Sequence, residues 1–359
     1  MGRTTLNNKS VRIGTVEIKP AERACVDLPV ADLYTHASLN MPVQVINGKR
    51  PGPTLFVSAA IHGDELNGVE IIRRLLAQKA LGRLRGCLIA VPIVNVHGFL
   101  DQSRYLPDRR DLNRSFPGSS KGSVASRLAY TFSQQIIRQS DYGIDIHTGA
   151  LHRSNLPQIR ANLEDQTTLE LARAFNVPVL INAPVRDGSL RGHAAENGIP
   201  TLLYEVGEAL RFDEVGIRAG LRGVTNVMRK LGMLPPRKKE ARRIEAITAT
   251  STSWIRAPAS GIVRTRVKLG QRVRSDDALA IISDPFGEVE MVVTAPFSGI
   301  VIGRTNLPLA HEGDALIHIA RFDSVALAKD IVAEFQSALQ PAEPVNEANR
   351  NEDRNPVDQ

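Results

Sequence analysis

Cysteine is nearly absent: Cys25 and Cys87 are the only two in 359 residues. Neither a disulfide framework nor a cysteine-rich zinc cluster can therefore carry the fold, and a reducing compartment, the cytoplasm, is expected. No apolar run approaches the about 20 residues of a membrane span, and the basic N-terminus MGRTTLNNKSVRIG leads into no apolar segment, so neither membrane insertion nor a secretory leader is expected. Aromatic residues are only 4% of the chain, too few for a base-stacking platform. The net charge of +7 is thus assigned to small acidic ligands and a solvated surface, with no nucleic-acid partner expected.

What is present is a core-forming chain, 42% hydrophobic and long enough for two or three units. Residues 1–50 alternate apolar and polar in short runs, a β-rich lead-in with Asn47-Gly48 as a hairpin turn into the next strand. From residue 51 to 234, strand-like and helix-like stretches alternate. Leu55 to Ala60 reads as a buried strand, Leu66 to Ala80 repeats at helical spacing, and Cys87–Val94, Val124–Ile137, Tyr142–His147, Val177–Asn182, Thr201–Val206 and Asp213–Leu231 continue the pattern. That order predicts an α/β fold, a mostly parallel or mixed sheet flanked by helices, with its site at the carboxyl ends of the strands. Pro235-Pro236 closes this unit and opens a linker, residues 235–253.

Beyond the linker, residues 254–322 hold a repeat: Ala257-Pro258-Ala259-Ser260-Gly261-Ile262-Val263 returns as Ala295-Pro296-Phe297-Ser298-Gly299-Ile300-Val301. Two matching, glycine-punctuated halves predict a small all-β barrel-like sandwich, and the pattern resembles the biotinyl/lipoyl carrier fold. The stretch that would carry the modified lysine is Ser283-Asp284-Pro285-Phe286-Gly287, without a lysine, so a structural or oligomeric role is expected. A terminal helix is expected over 323–339 and a disordered tail over 340–359.

The chemistry is announced by Ala60-Ile61-His62-Gly63-Asp64-Glu65, where a strand ends and a helix begins. His and Glu three residues apart can face one point, and both are zinc ligands. Asp145-Ile146-His147 ends another strand and supplies a third, leaving one position open as in catalytic sites. For a lone HxxE pair, a helix cap beside a core histidine is the commoner explanation; three ligand types at strand ends favour a metal. Asp64 points to another face of the turn, and Asp145 either orients an imidazole or is an ordinary capping carboxylate.

With Ser103-Arg104-Tyr105 and Asp111-Leu112-Asn113-Arg114 added, and with Glu205-Val206-Gly207 after a strand, the chain resembles zinc carboxypeptidases, and more closely the succinylglutamate desuccinylase/aspartoacylase family. The resemblance implies one zinc per chain on His62, Glu65 and His147. It implies Arg104 at the scissile carbonyl, Asn113 and Arg114 on a substrate carboxylate, and Glu205 as general base. Arg191 lies on a glycine-containing loop and either binds substrate or is simply solvated; Glu208 reads as a solvated loop glutamate. The implied activity is deacylation of a small N-acylated amino acid, with a homo-oligomer among the expected assembly states. Its rivals are a metallocarboxypeptidase and a non-catalytic protein on the same scaffold.

Overall fold

A computed structural model of the protein describes residues 8–237 and 245–339; the tail 340–359 lies outside the described residues, as does part of the linker. The chain opens with a hairpin, β1 (Val11–Ile13) and β2 (Val16–Ile18). Then follow β3 (Arg23–Asp32), β4 (Ser38–Asn47), β5 (Arg50–Ala59), α1 (Asn67–Leu76), β6 (Arg85–Val91), α2 (Val96–Leu100) and α3 (Val124–Gln135). Next come β7 (Tyr142–Gly149), β8 (Arg153–Ala161), α4 (Gln166–Phe175), β9 (Val179–Asn182), α5 (Leu190–Glu196), β10 (Thr201–Glu208) and α6 (Glu214–Lys230).

Strands β6, β5, β7 and β10 lie side by side and parallel, while β4 and β3 extend one edge antiparallel and β8 continues antiparallel beyond β10. The sheet is mixed, as an α/β fold with helices on both faces. Because side chains alternate along a strand, each strand feeds two cores. Leu55, Val57 and Ala59 of β5 pack with Ile144, Ile146, Leu202 and Tyr204 under α1, α4 and α6. Phe56 points the other way, edge-on to Phe132 of α3 in the second core. Helix α1 shows the cause in miniature: Ile71, Ile72 and Leu75 form its buried stripe, while Glu70, Arg73 and Arg74 pair outside. Each such fully buried aliphatic contributes about 1.5–3 kcal/mol.

Three expectations change. Strands β4 and β5 do not form a hairpin at Asn47-Gly48, because β6 lies between them. Parallel pairing of the apolar β5 and β6 takes β5 to the sheet interior, and Asn47 turns inward to donate to the Lys9 and Ile18 carbonyls. The segment read as a linker contains β11 (Ile247–Ala249), which joins the sheet parallel to β9, and the start of β12 (Ser251–Arg256). Residues 153–161 and 166–175, given no element from the sequence, are β8 and α4.

The C-terminal strands are β12, β13 (Gly261–Thr265), β14 (Arg272–Val273), β15 (Ala278–Ser283), β16 (Glu290–Thr294), β17 (Gly299–Thr305), β18 (Leu309–Ala310) and β19 (Ala315–Arg321), followed by α7 (Val325–Ser337). Gly261 and Gly299, equivalent in the repeat, begin β13 and β17. Strand β13 belongs to a four-stranded sheet of β16, β15, β13 and β18. Strand β17 pairs antiparallel with β8, so the main sheet runs on through β17, β19 and β12. An Asn306 side chain just past β17 donates to Glu208 at the end of β10, which also accepts from His152 N and Ser154 Oγ. Glu208 is thus a tie between the two halves and not a solvated loop residue.

On β19, His318 stacks on Trp254 at 4.7 Å, and the Arg153 guanidinium lies over the same indole. Burial, with a further push from Arg160, lowers the His318 pKa to about 3. The folded chain therefore keeps His318 neutral where the unfolded chain would protonate it near 6.5. Its effect on stability is nil above pH 6.5 and costs up to about 1.4 kcal/mol per unit as pH falls below that value towards 3. Urea unfolding at pH 7 and pH 5 should show a smaller acid destabilisation in His318→Gln than in the wild type; equal losses would remove His318 from the account.

Candidate metal centre and active site

The strand ends assemble the site. Strand β5 stops at Ala59, and the loop from Ala60 to Leu66 turns into α1, carrying His62 and Glu65. Gly63 allows this turn to press on α2: a Cβ there would lie 1.9 Å from the Gly98 carbonyl carbon. Strand β7, adjacent to β5, brings His147. The three side chains are buried, and one ligand atom from each lies within 4.8 Å of the others.

The orientation of both rings is fixed from behind. His62 donates through Nε2 to Asp111 Oδ1 at 3.1 Å, and His147 donates through Nε2 to Asp145 Oδ2 at 2.8 Å. Their Nδ1 atoms meet the two Glu65 oxygens at 2.6 and 2.9 Å. The donor set facing inward is therefore two imidazole Nδ1 atoms and a carboxylate, a combination that fits a divalent transition metal such as zinc. The electrostatics agree. Burial opposes charge on His62 and His147, yet Glu65 raises the first and Asp145 with Glu65 the second. Burial likewise opposes ionisation of Glu65 and Asp111, but the imidazoles, and Arg104 for Asp111, hold both well below the usual carboxylate range. The ionised Glu65 facing two imidazoles draws positive charge to this point, which a divalent cation would supply in place of protons.

Asp145 is held in turn by the Ser58 hydroxyl at 2.8 Å. Asp64 stays out of the trio, and burial pushes its carboxyl up. Asp111, to which the Asp-Leu-Asn-Arg motif assigns no role, caps the short 3₁₀ turn Leu112–Arg114 through the Asn113 N–H and also takes Arg104 Nη2 at 3.0 Å. Arg104 Nη1 lies 3.5 Å from Glu65, so this guanidinium leans over the trio. The Asn113 oxygen accepts from Leu190 N, while its amide nitrogen has no acceptor among the described residues. Arg114 is exposed, donates to the carbonyl of Asn113, and has no acidic partner among the described residues.

Glu205 on β10 is in register with His147 on β7 and so projects from the same face. Its carboxylate accepts from Arg160 Nη1 at 3.0 Å. Gly207, at φ +71°, bends the chain directly after, where a Cβ would meet Asn67 Nδ2 at 2.6 Å. Arg191 sits on α5, not on a loop. It is buried and spends Nη1 and Nη2 on the Ala183 and Pro184 carbonyls. Burial, then Arg160 and Arg186, lower its pKa to about 10. Arg160 itself went unnoticed in the sequence. Nothing in Pro157-Gln158-Ile159-Arg160 forms a motif, and only the pairing of β8 with β10 brings it here.

Fold and site together define an α/β protein with a cluster of side chains able to hold a metal ion at the carboxyl ends of a mixed sheet. The chain belongs to the succinylglutamate desuccinylase/aspartoacylase family, whose catalytic-domain model matches residues 51–231. It is 24% identical over 317 residues to the N-alpha-acetyl-L-2,4-diaminobutyric acid deacetylase of Halomonas elongata, spanning 85% of this chain and 92% of that protein. A stretch of 77 residues, 21% of this chain, is 39% identical to 22% of the succinylglutamate desuccinylase of Burkholderia cenocepacia. Among solved structures, the product-bound ectoine utilization protein EutE (DoeB) of Ruegeria pomeroyi superposes with a TM-score of 0.77 at 26% identity, covering 88% of this chain and all of that one. A succinylglutamate desuccinylase of Silicibacter sp. TM1040 gives 0.74 at 26% identity, over 84% and 95%. Among the described residues no helix is long and apolar enough to cross a membrane.

Proposed function

We propose that the protein is a zinc-dependent amidohydrolase that removes the acyl group from a small N-acylated amino acid. The observation that carries this is the buried trio His62, Glu65 and His147 with Glu205 in register beside it. The family supports the reaction class, and its curated relatives are named as a deacetylase and a desuccinylase.

Zinc, when bound, supplies an electrophile that polarises the scissile carbonyl and acidifies water. Glu205 accepts a proton from the attacking water and returns it to the leaving amine, so amide and water become acid and amine. Arg104, already angled over the trio, stabilises charge on the carbonyl oxygen as it becomes tetrahedral. Arg114 and the Asn113 amide hold a substrate carboxylate, for which a planar guanidinium offers a two-pronged match. Asp111 and Asp145 keep both imidazoles turned with Nδ1 inward. Arg191, committed to the Ala183 and Pro184 carbonyls, braces that segment more than it reads substrate. The C-terminal strands, lacking a lysine at the β15–β16 turn, serve a structural role.

The test is a screen of N-acetyl and N-succinyl amino acids against short peptides, with zinc-loaded protein and release of free amine as readout. Turnover of acyl amino acids without peptide cleavage is the expected result; peptide cleavage alone would make the protein a carboxypeptidase, and no turnover would sink the proposal. On the best substrate, Arg104→Ala should lower kcat. Arg114→Ala should chiefly raise KM, because it grips a group present in ground and transition states alike. The reverse pattern would exchange their roles.

A further inference from the structure

The inference rests on Glu205 being the base. A base must be aimed as well as present, and the Glu205 carboxylate has one hydrogen-bond donor among the described residues, Arg160 Nη1. Gln158 is the direct cross-strand partner of Glu205 but does not reach it: its amide is fully buried and engages no described group. Arg191, the other guanidinium nearby, is already bound to two carbonyls. Arg160 has no other acidic partner among the described residues. Its strand is fixed on both sides, between β10 and, through β9 and β17, the rest of the sheet. His318 of β19 lies close enough to feel the Arg160 charge, and burial keeps its ring neutral, so it adds no second positive charge beside the guanidinium.

We propose that Arg160 is a positioning residue for the reaction: its guanidinium sets the rotamer of Glu205 so that the free carboxylate oxygen faces the space before His147. Of the two carboxylate oxygens, Oε2 is the one Arg160 takes, leaving Oε1 for the proton in transit. This gives the antiparallel strand β8, and with it the junction to the C-terminal strands, a part in catalysis beyond scaffolding.

The experiment is a double-mutant cycle on the zinc-loaded full chain with Arg160→Met, Arg160→Lys, Glu205→Gln and the Met/Gln double variant. Misplacing a reacting group by about 1 Å costs on the order of 100-fold, so Arg160→Met should lower kcat by roughly 10- to 100-fold with KM within about threefold of wild type. Arg160→Lys should recover much of the loss, and zinc content should not change. In the Glu205→Gln background, Arg160→Met should add less than about threefold, because both act through one group. A normal kcat in Arg160→Met, or a raised KM at unchanged kcat, overturns the proposal, the second by making Arg160 a substrate contact. Losses that multiply in the double variant overturn it too. If Glu205→Gln alone keeps near-normal turnover, it is the base assignment that has failed, and this inference falls with it. Should Arg160→Met not fold, Arg160→Gln takes its place in the cycle: a loss in kcat at constant KM that shrinks below about threefold in the Glu205→Gln background supports the proposal, and a normal kcat or a shift confined to KM overturns it.

Discussion

Glu205→Gln should lower turnover by roughly 10²- to 10⁴-fold, the range typical of a lost general base, while zinc content stays at the wild-type level. The amide keeps the size and shape of the carboxylate and can still accept from Arg160 Nη1, so β10 need not move. What it lacks is proton affinity. Metal analysis and steady-state kinetics on the same preparation check both halves of the expectation. Near-normal turnover would remove Glu205 as the base. Zinc loss would instead make it a ligand, a role that its ion pair with Arg160 disfavours.

His147→Ala should abolish stoichiometric zinc and turnover together. A partner that merely orients a ligating histidine typically costs about 10–100-fold in metal affinity when removed, and loss of the ligand itself should exceed that. The geometry therefore predicts a graded pair: Asp145→Asn, which weakens the grip on His147 Nε2, should lose zinc to a chelator sooner than wild type, and His147→Ala sooner still. Because His147 also accompanies Glu65 in a buried cluster, circular dichroism should accompany the measurement, to separate metal loss from unfolding. Undiminished zinc in a folded His147→Ala variant would show that the third ligand has been misassigned.

Both predictions trace back to residues visible in the sequence, and the reason is local. His62 and Glu65 are three residues apart at a strand-to-helix turn, so one loop places both. Strand alternation was equally legible, since an apolar run such as Leu55–Ala60 can only be buried. Asp111 is half legible in sequence, because it lies two residues before Asn113 in the Asp-Leu-Asn-Arg motif, but the fold-back of this turn onto His62 is a tertiary fact. Arg191 was misplaced for a related reason. The glycine in Leu190-Arg191-Gly192 suggested a loop, but Ser189 caps a short helix there by accepting from Gly192 N.

Other features depend on pairings that separate stretches of chain make only after folding. The false hairpin at Asn47-Gly48 arose because turn chemistry is local, whereas the insertion of β6 between β4 and β5 is decided by parallel pairing of two apolar strands. The run of β17 along β8 has no sequence mark at all, nor does the strand at Ile247–Ala249 inside an apparent linker. Periodicity thus determined the α/β class, residue type and strand-end position marked His62, Glu65 and His147 as candidate ligands, and the family resemblance singled out Glu205 as candidate base, because each signal is written within a few consecutive residues. Tertiary structure alone decided which nitrogen of each histidine faces inward, that Arg191 is spent on the backbone, that Glu208 ties the two halves, and that Arg160 meets Glu205. Those facts depend on strand register and neighbour order, which arise from the packing of two faces of one sheet and are encoded in no single segment.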